Sequence, residues 1–458
     1  MRAPNVFVLI VSILVVVGVL TWIVPGGKFE RAEKVLPTGT QQVVVPDSFQ
    51  EVEARPQGPW ELLKAPFRGF EKASGVIGFI LLVGGAFGVL ARTGAIPAFL
   101  VWFTVKIGRR FRLLVIPILM GMFSLGGALF GMSEEIIVFV PLTVPLAIAL
   151  GYDTVTGVAI PFIGTQVGFA TAFVNPFTLG IAKGIAEQPL GEGREFRILA
   201  WVAMTALGIA LVMWHAHRVG RDPSRSPTQK IDEAWRGRIQ DPAQESAGLT
   251  GRHIAVLLAF AASMVVLGIG ALRWDWYITE LAGLFIGLAV ACGVLARIAA
   301  NDTANAFLDG AKEMIAPALL VAFSRAILVV AEDGQIIDTM LSSLAGSLDG
   351  LGPTVTAELM YGAHTAINFF VPSGSGQAAL TMPVMTPLAD LVGVHRETAI
   401  LAFQLGDGLT NLVIPTSAVL IAVLAMARLE LGTWLRWIWR RQLVLCVFGG
   451  ILLALAPW

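Results

Sequence analysis

Two short interruptions of apolar sequence carry most of this chain's chemistry. Ser133-Glu134-Glu135 follows Gly131-Met132 inside one apolar stretch, and Pro372-Ser373-Gly374-Ser375-Gly376-Gln377 interrupts another. Carboxylates embedded in apolar surroundings are costly and mark ligand sites, ion sites or proton relays. An acid in the first turn of a helix also suits the helix dipole, and both roles can hold at once. The second interruption is neutral. Its glycines allow close approach to the backbone, its serines can cap a helix, and the N–H groups of a following helix suit an anion. Downstream of each lies an apolar helix broken by Asn and Pro: Asn175-Pro176-Phe177-Thr178 in one, and Asp407, Thr410 and Asn411 followed by Pro415-Thr416-Ser417 in the other. These side chains and the freed carbonyls offer oxygens. Gln166, His364 and Asn368 add polar groups to the same spans. Arg325, deep in an apolar run, can bind a carboxylate or neutralise a buried acid.

The elements that hold these residues are set by composition. Of 458 residues 56% are apolar and 14% charged, with mean hydropathy +0.76. Soluble domains run nearer 45–50% and about 25%. A soluble enzyme, a disordered chain and a disulfide-stapled domain are excluded, leaving a polytopic membrane protein. Lys+Arg and Asp+Glu balance at 32 each, which gives no reason to expect a nucleic-acid partner. Cys292 and Cys446 sit in apolar runs and read as small packed hydrophobes.

Nine segments are long enough to cross a bilayer, at about 5–24, 74–92, 154–186, 197–217, 252–272, 278–298, 311–331, 397–427 and 441–457. The first is too long for a signal-peptide core and reads as an anchor. Three basic clusters read as topology signals on the cytoplasmic side. They are Lys106, Arg109, Arg110 and Arg112; then Arg218, Arg221, Arg225, Lys230, Arg236 and Arg238; then Arg428, Arg436, Arg440 and Arg441. The N-terminus is then cytoplasmic and 25–73 is an outer loop. The run 95–105 reads as an interfacial helix. Residues 113–150 must enter and leave on one side, each arm too short to span, as a re-entrant hairpin tipped by Glu134 and Glu135. Irregular backbone at that depth has to be buried in protein or line a wet cavity.

The chain repeats itself. Ser133 with Pro141, Pro145 and Gly151 maps onto Ser375 with Pro383, Pro387 and Gly393 at a shift of 242, which also carries Gly164 onto Gly406. Five crossings separate 74–92 from its mate 311–331, so the mate runs the other way, and the second hairpin, about 352–393, enters from outside. The expected organisation is an N-terminal span and outer loop (1–73), a first repeat (74–217), a cytoplasmic linker (218–251), connecting spans (252–298) and a second repeat (299–458). Two inverted repeats, each with a re-entrant hairpin and a broken transmembrane helix, indicate an all-α secondary transporter with a midplane site.

No Walker motif, H-E-x-x-H, metal spacing or local nucleophile–base pair is present, so gradient-driven transport is expected rather than catalysis, with no cofactor or metal. The coupling ion would be H+ or Na+. Acids at one tip and N–H donors at the other suit a carboxylate joined to a cationic amine. A dianion such as succinate would meet Glu134, Glu135 and Asp407 with Arg325 as the obvious buried cation, unless a proton or Na+ altered that balance.

Several motifs resemble the YfcC family: Leu20-Thr21-Trp22-Ile23-Val24-Pro25, Gly84-Gly85-Ala86-Phe87-Gly88, Met132-Ser133-Glu134-Glu135, Asn175-Pro176-Phe177-Thr178-Leu179-Gly180, Pro372 to Ala379 and Phe403-Gln404-Leu405-Gly406-Asp407-Gly408-Leu409-Thr410-Asn411. That family is akin to arginine/ornithine antiporters and anaerobic C4-dicarboxylate carriers within the ion transporter superfamily. The resemblance implies a homodimer of scaffold and transport domains in a bacterial inner membrane, working by elevator-type alternating access. Related dicarboxylate carriers bind Na+ and substrate through Ser-Asn-Thr at each tip. Here the tips read Ser133-Glu134-Glu135 and Ser373-Gly374-Ser375. The expectation is transport of basic amino acids (arginine, ornithine or lysine) by exchange or proton coupling, with a Na+- or H+-coupled C4-dicarboxylate or other organic-anion carrier as the alternative.

Overall fold

Where no water reaches the backbone, long apolar runs close their hydrogen bonds internally as helices. The computed structural model describes residues 6–36, 39–45, 47–106, 109–189, 191–239, 249–274, 276, 278–346 and 352–457. Residues 107–108 beside the first basic cluster, 240–248 of the expected linker, 347–351 before the second hairpin and the side chains of Lys106, Arg109, Arg110 and Arg238 lie outside the described residues.

The chain opens with α1 (Val6–Ile23) and then forms four short strands, β1 (Gly26–Lys28), β2 (Arg31–Leu36), β3 (Gly39–Val44) and β4 (Gln50–Val52). β1 pairs antiparallel with β4, Gly26 opposite Val52, and β2 with β3, Arg31 opposite Val44. The fold is therefore nearly all-helical, not wholly so. This stretch has no apolar stripe at helical spacing, and its β-branched Val43 and Val44 are buried.

The first half continues with α2 (Pro59–Lys72), α3 (Ser74–Arg92) and α4 (Ala95–Lys106). Around the first turn stand α5 (Arg109–Phe130), a 3-10 segment (Glu134–Phe139) and α6 (Val140–Ala149). Around the first break stand α7 (Thr154–Ala170), a π turn (Pro176–Gly180) and α8 (Ile181–Ile185). The halves are joined by α9 (Arg194–Arg221), α10 (Gln229–Ile239), α11 (Gly251–Arg273) and α12 (Ile278–Leu295). The second half holds α13 (Ala300–Glu313), α14 (Ile315–Asp333) and α15 (Ile337–Gly346). Then come α16 (Pro353–Phe370) and α17 (Gly374–Val392) around the second turn, α18 (Arg396–Thr410) and α19 (Ala418–Met426) around the second break, and α20 (Leu431–Ala454).

Among the described residues five helical segments are by themselves long and apolar enough to cross a membrane: Ser74–Arg92, Arg112–Leu129, Arg194–Arg221, Ile278–Leu295 and Leu431–Ala454. The bent pair α13–α14 makes a sixth, and Phe7–Ile23, Thr154–Ala170 and Gly251–Leu267 are shorter apolar helices. One expectation is corrected here. The first arm of the hairpin at 113–150 is not short, because α5 is a continuous 22-residue helix that keeps Pro117 and Gly126-Gly127 within it. At about 1.5 Å per residue it measures roughly 33 Å. The Gly pair does not break it, since α7 packs along that face and leaves no room for a side chain: a Cβ on Gly127 would lie 2.4 Å from the Thr165 carbonyl. The 25–73 and 218–251 segments, expected as loop and linker, also contain the helices α2 and α10.

The halves interlock reciprocally. Amphipathic α2 precedes apolar α3, and amphipathic α13 precedes apolar α14; α2 packs on α14 while α13 packs on α3. Both contacts rest on glycine. A Cβ on Gly69 would lie 2.3 Å from the Ala322 carbonyl, and one on Gly310 2.3 Å from the Gly84 carbonyl. In each half the first arm of the turn also packs on the broken helix, α5 on α7 and α16 on α18.

The connecting segments gather at two ends. At one, Phe29 N–H donates to Asp338 (2.9 Å), Arg31 pairs with Asp338 (2.9 Å), Lys34 donates to the Ile185 carbonyl (3.3 Å), and Arg68 and Lys72 pair with Asp333 and Glu332. At the other, Thr154 N–H donates to Asp232 (2.8 Å), His215 bonds Asp153 (2.8 Å), and Arg428 pairs with Glu313 (2.6 Å).

Candidate functional site

The first turn is built by its glycine. Gly131 takes φ +66°, a left-handed conformation that suits glycine, and ends α5. The chain then reverses so that Ser133 N–H donates to Glu135 Oε2 (2.9 Å), folding Glu135 back into the protein at 7% exposure. A Cβ on Gly131 would lie 2.6 Å from Asn175 Oδ1, so this turn sits directly on the first break. There Asn175 Oδ1 accepts from the N–H groups of Phe177 (2.9 Å) and Thr178 (3.3 Å), and its amide donates to Thr178 Oγ1 (2.7 Å). Asn175 thus satisfies donors that the new helical turn leaves free.

The second turn is capped by Ser373, whose Oγ accepts from Gly376 N–H (3.4 Å) while its carbonyl takes Gln377 N–H (2.7 Å). The first N–H groups of α17, at Gly374 and Ser375, have no carbonyl within the helix to bond. Behind Gly374 lies the fully buried Asp407: a Cβ on Gly374 would fall 2.7 Å from Asp407 Oδ2 and 2.4 Å from Thr178 Cγ2. Asp407 Oδ1 accepts from Asn411 (3.3 Å), Asn368 donates to Asn411 Oδ1 and to the Asp407 carbonyl (3.0 Å each), and Asp407 Oδ2 has no hydrogen-bond partner among the described residues.

Both turns and both breaks face one cavity of about 420 Å³. Ser133, Glu134 and Glu135 line it from the first turn, and Ser373, Gly374 and Ser375 from the second. Thr178, Asn411, Thr416 and Ser417 contribute from the breaks, and Arg325 from α14. Thr416 Oγ1 donates to the Phe369 carbonyl (2.7 Å), and Ser417 caps α19 through Leu420 N–H (3.3 Å). Among the described residues Arg325 has no carboxylate within ion-pair distance, and its Nε lacks a hydrogen-bond partner. A second cavity of about 730 Å³ lies between the strands and α17; it is also lined by Arg325 and Ser373, and Gly376 belongs to it.

The remaining candidates are not in the cavity wall. Asn175, Asp407 and Asn368 stand behind it in the contacts just given. Gln377 donates to the His364 carbonyl (2.9 Å), and the His364 ring packs edge-on to Phe403 at 5.5 Å. Thr410 bonds back to the Gly406 carbonyl (2.5 Å). Gln166 is fully buried in α7, its amide without a partner among the described residues.

One cluster escaped sequence reasoning. Glu397 pairs with Lys183 (2.7 Å) and Arg197 (3.2 Å), all three side chains at most 1% exposed. Arg197 also donates to Gln404 Oε1 (2.9 Å), and Gln404 Nε2 donates to Thr178 Oγ1 (3.1 Å) in the cavity wall. The available signal was a Lys inside the broken helix and a Glu and an Arg at the mouths of two other spans.

Comparison with known proteins adds to this geometry. The family model described as "DcuC: C4-dicarboxylate anaerobic carrier" matches residues 3–457. The Escherichia coli (strain K12) protein named "Putative basic amino acid antiporter YfcC" is 37% identical over 468 residues, covering 94% of this chain and 92% of that one. An uncharacterized Haemophilus influenzae protein is 28% identical, covering 98% and 96%. Among solved structures, the YdaH transporter of Alcanivorax borkumensis aligns over 98% of both chains with TM-score 0.43 and 16% identity. MtrF of Neisseria gonorrhoeae, described with a class of antimetabolite efflux pumps, aligns over 99% of this chain and 95% of that one with TM-score 0.42 and 17% identity.

Proposed function

Because this chain belongs to the DcuC family of C4-dicarboxylate anaerobic carriers, we propose that it is a multi-pass secondary transporter whose substrate carries both a carboxylate and a cationic group. A basic amino acid such as arginine, ornithine or lysine is the leading candidate, moved by exchange or with protons. One observation carries the proposal: a single cavity is lined by Glu134 and Glu135 and also by Arg325 and the α17 N-terminus. The α-carboxylate would meet Arg325 and the N–H groups of Gly374 and Ser375, where guanidinium and helix dipole act together. The amine would meet Glu134 and Glu135. The name of the YfcC relative supports the same class.

The two halves are read as inverted repeats, each with a re-entrant hairpin and a broken helix, in scaffold and transport domains of an elevator-type homodimer in the bacterial inner membrane. The reciprocal packing of α2 and α13 supports the inversion. The basic residues at the Asp153–Asp232–Arg428 end support a cytoplasmic assignment for that end and for the N-terminus. The larger cavity beside the strands is then an outer vestibule that meets the site at Arg325 and Ser373, as in an outward-facing state.

A second reading is favoured by Arg325 and by the family's description: a C4-dicarboxylate or other organic anion, carried with Na+ or H+. Two carboxylates in the same cavity oppose a dianion unless they are protonated or paired with a cation. Counterflow separates the readings. Proteoliposomes loaded with unlabelled ornithine should concentrate external labelled arginine, and succinate-loaded vesicles should not. Counterflow of succinate with none of arginine transfers the function to the second reading.

A further inference from the structure

A basic cavity of about 620 Å³ shares no lining residue with the site above. Arg218 of α9, Arg225 of the turn after it, and Arg436, Arg440 and Arg441 of α20 line it, and no carboxylate residue does. Arg225 is held by Asp222 (3.1 Å), and the nearby Asp153 is engaged by His215 (2.8 Å) and Thr156 (2.6 Å). The other four arginines have no ion-pair partner among the described residues. Arg436 donates to Thr433 Oγ1 (3.3 Å), and the other three lie against aromatic rings. Arg218 stands 4.8 Å from the Trp214 ring, Arg440 5.2 Å from Trp439, and Arg441 4.0 Å from Trp437 and 5.8 Å from Trp214.

These contacts fix a level in the molecule. The apolar run of α9 closes at Trp214–Arg218, and that of α20 opens after Arg441; the Arg441–Trp214 contact puts both changes side by side. Beyond it α20 exposes Leu443, Val444, Val447 and Ile451, and Trp214 and Trp439 are themselves more than half exposed. Tryptophan beside arginine at an apolar-to-basic boundary is the pattern of the membrane–water interface. We propose that this cavity binds the headgroup of an anionic phospholipid, its phosphate held among Arg218, Arg440 and Arg441 and one acyl chain lying on the exposed aliphatic face of α20. Guanidinium groups match phosphate oxygens in forked geometry. A soluble phosphate would use those groups equally well but would leave the aliphatic face uncovered, so the composite surface favours a lipid over a free ion.

The test uses full-length protein washed free of lipid in detergent. Phosphatidylglycerol, phosphatidylcholine or inorganic phosphate is added at equal concentration, and bound lipid is counted by native mass spectrometry alongside the melting temperature. Phosphatidylglycerol should be retained at least tenfold better than phosphatidylcholine and should raise the melting temperature. Arg218→Gln with Arg440→Gln, both at exposed positions, should abolish the preference, and the Lys pair should keep part of it. Equal retention of the two lipids by the wild-type protein would overturn the proposal without recourse to any variant. So would equal protection by inorganic phosphate, or an undiminished preference in the Gln pair.

Discussion

Replacing Glu397 by Gln removes the one anion that two buried cations share. Lys183 and Arg197 contact it at 2.7 and 3.2 Å, and the three side chains are at most 1% exposed. Removing one partner of so buried a pair typically costs about 3–5 kcal/mol, because the remaining charges keep their desolvation penalty. The exposed Arg225–Asp222 pair, with side chains 53% and 45% exposed, supplies the contrast, because solvent screens such a pair and it contributes little. Four kcal/mol is close to a thousandfold in the folded-to-unfolded ratio, at about 1.4 kcal/mol per factor of ten. Equilibrium denaturation in mixed micelles should therefore separate Glu397→Gln from Asp222→Asn by a wide margin. Adding Lys183→Met to Glu397→Gln should recover part of the loss. Arg197 is then the sole cation, and it still has Gln404 Oε1 at 2.9 Å and the Ala172 carbonyl at 3.4 Å. A loss from Glu397→Gln no larger than that of the surface control, or a double variant that simply adds the two losses, would refute the reasoning.

Gly374→Ala places a Cβ 2.4 Å from Thr178 and 2.7 Å from Asp407, and overpacking of that kind costs about 1–3 kcal/mol. The melting temperature should fall and substrate uptake with it, while Gly362→Ala, with open space around it, should match the wild type in both assays. Asn175→Ala loses the acceptor for two N–H groups and should lower stability by about 1 kcal/mol in thermal melts, with Asn175→Ser losing less because a neutral capping oxygen remains. Gly88→Ala pushes a Cβ to 2.3 Å from the Ala306 carbonyl, at the α3–α13 crossing where small residues let helices approach. It should reduce the yield of folded protein, judged by size-exclusion profile, and Gly78→Ala should not.

The turns and breaks were legible because each combines two rare things in apolar sequence, a polar group and a helix breaker, and because the duplication shows them twice. Ser133 to Glu135, Ser373 to Ser375, Thr178, Asn411, Thr416, Ser417 and Arg325 all come to one cavity. The supporting layer was less legible. Asn175 and Asp407 look like ligands in sequence; behind the wall Asn175 accepts from backbone N–H groups and Asp407 Oδ1 from Asn411, while Asp407 Oδ2 has no hydrogen-bond partner among the described residues. The Lys183–Arg197–Glu397 cluster was hidden because its members lie 14 and 200 residues apart and two of them sit at span ends, where charges are ordinary. The length of α5 was misjudged because a Gly-Gly pair reads as a break. Here it is a contact surface for α7 instead. The strands between 26 and 52 gave only a weak signal, since short polar strands lack the regular alternation of a half-buried sheet.

One cavity offers carboxylates to a cation and a guanidinium to an anion. Its most direct test is a thermal-shift panel on detergent-purified protein with arginine, ornithine, lysine, neutral amino acids, succinate and fumarate, with and without Na+ at two pH values. A ligand at a hundred times its Kd stabilises the folded state by about 2.7 kcal/mol. Basic amino acids should raise the melting temperature of the wild type, and the effect should vanish in both Glu134→Gln and Arg325→Gln. Stabilisation by succinate or fumarate alone, or a response to arginine that survives both substitutions, would contradict it.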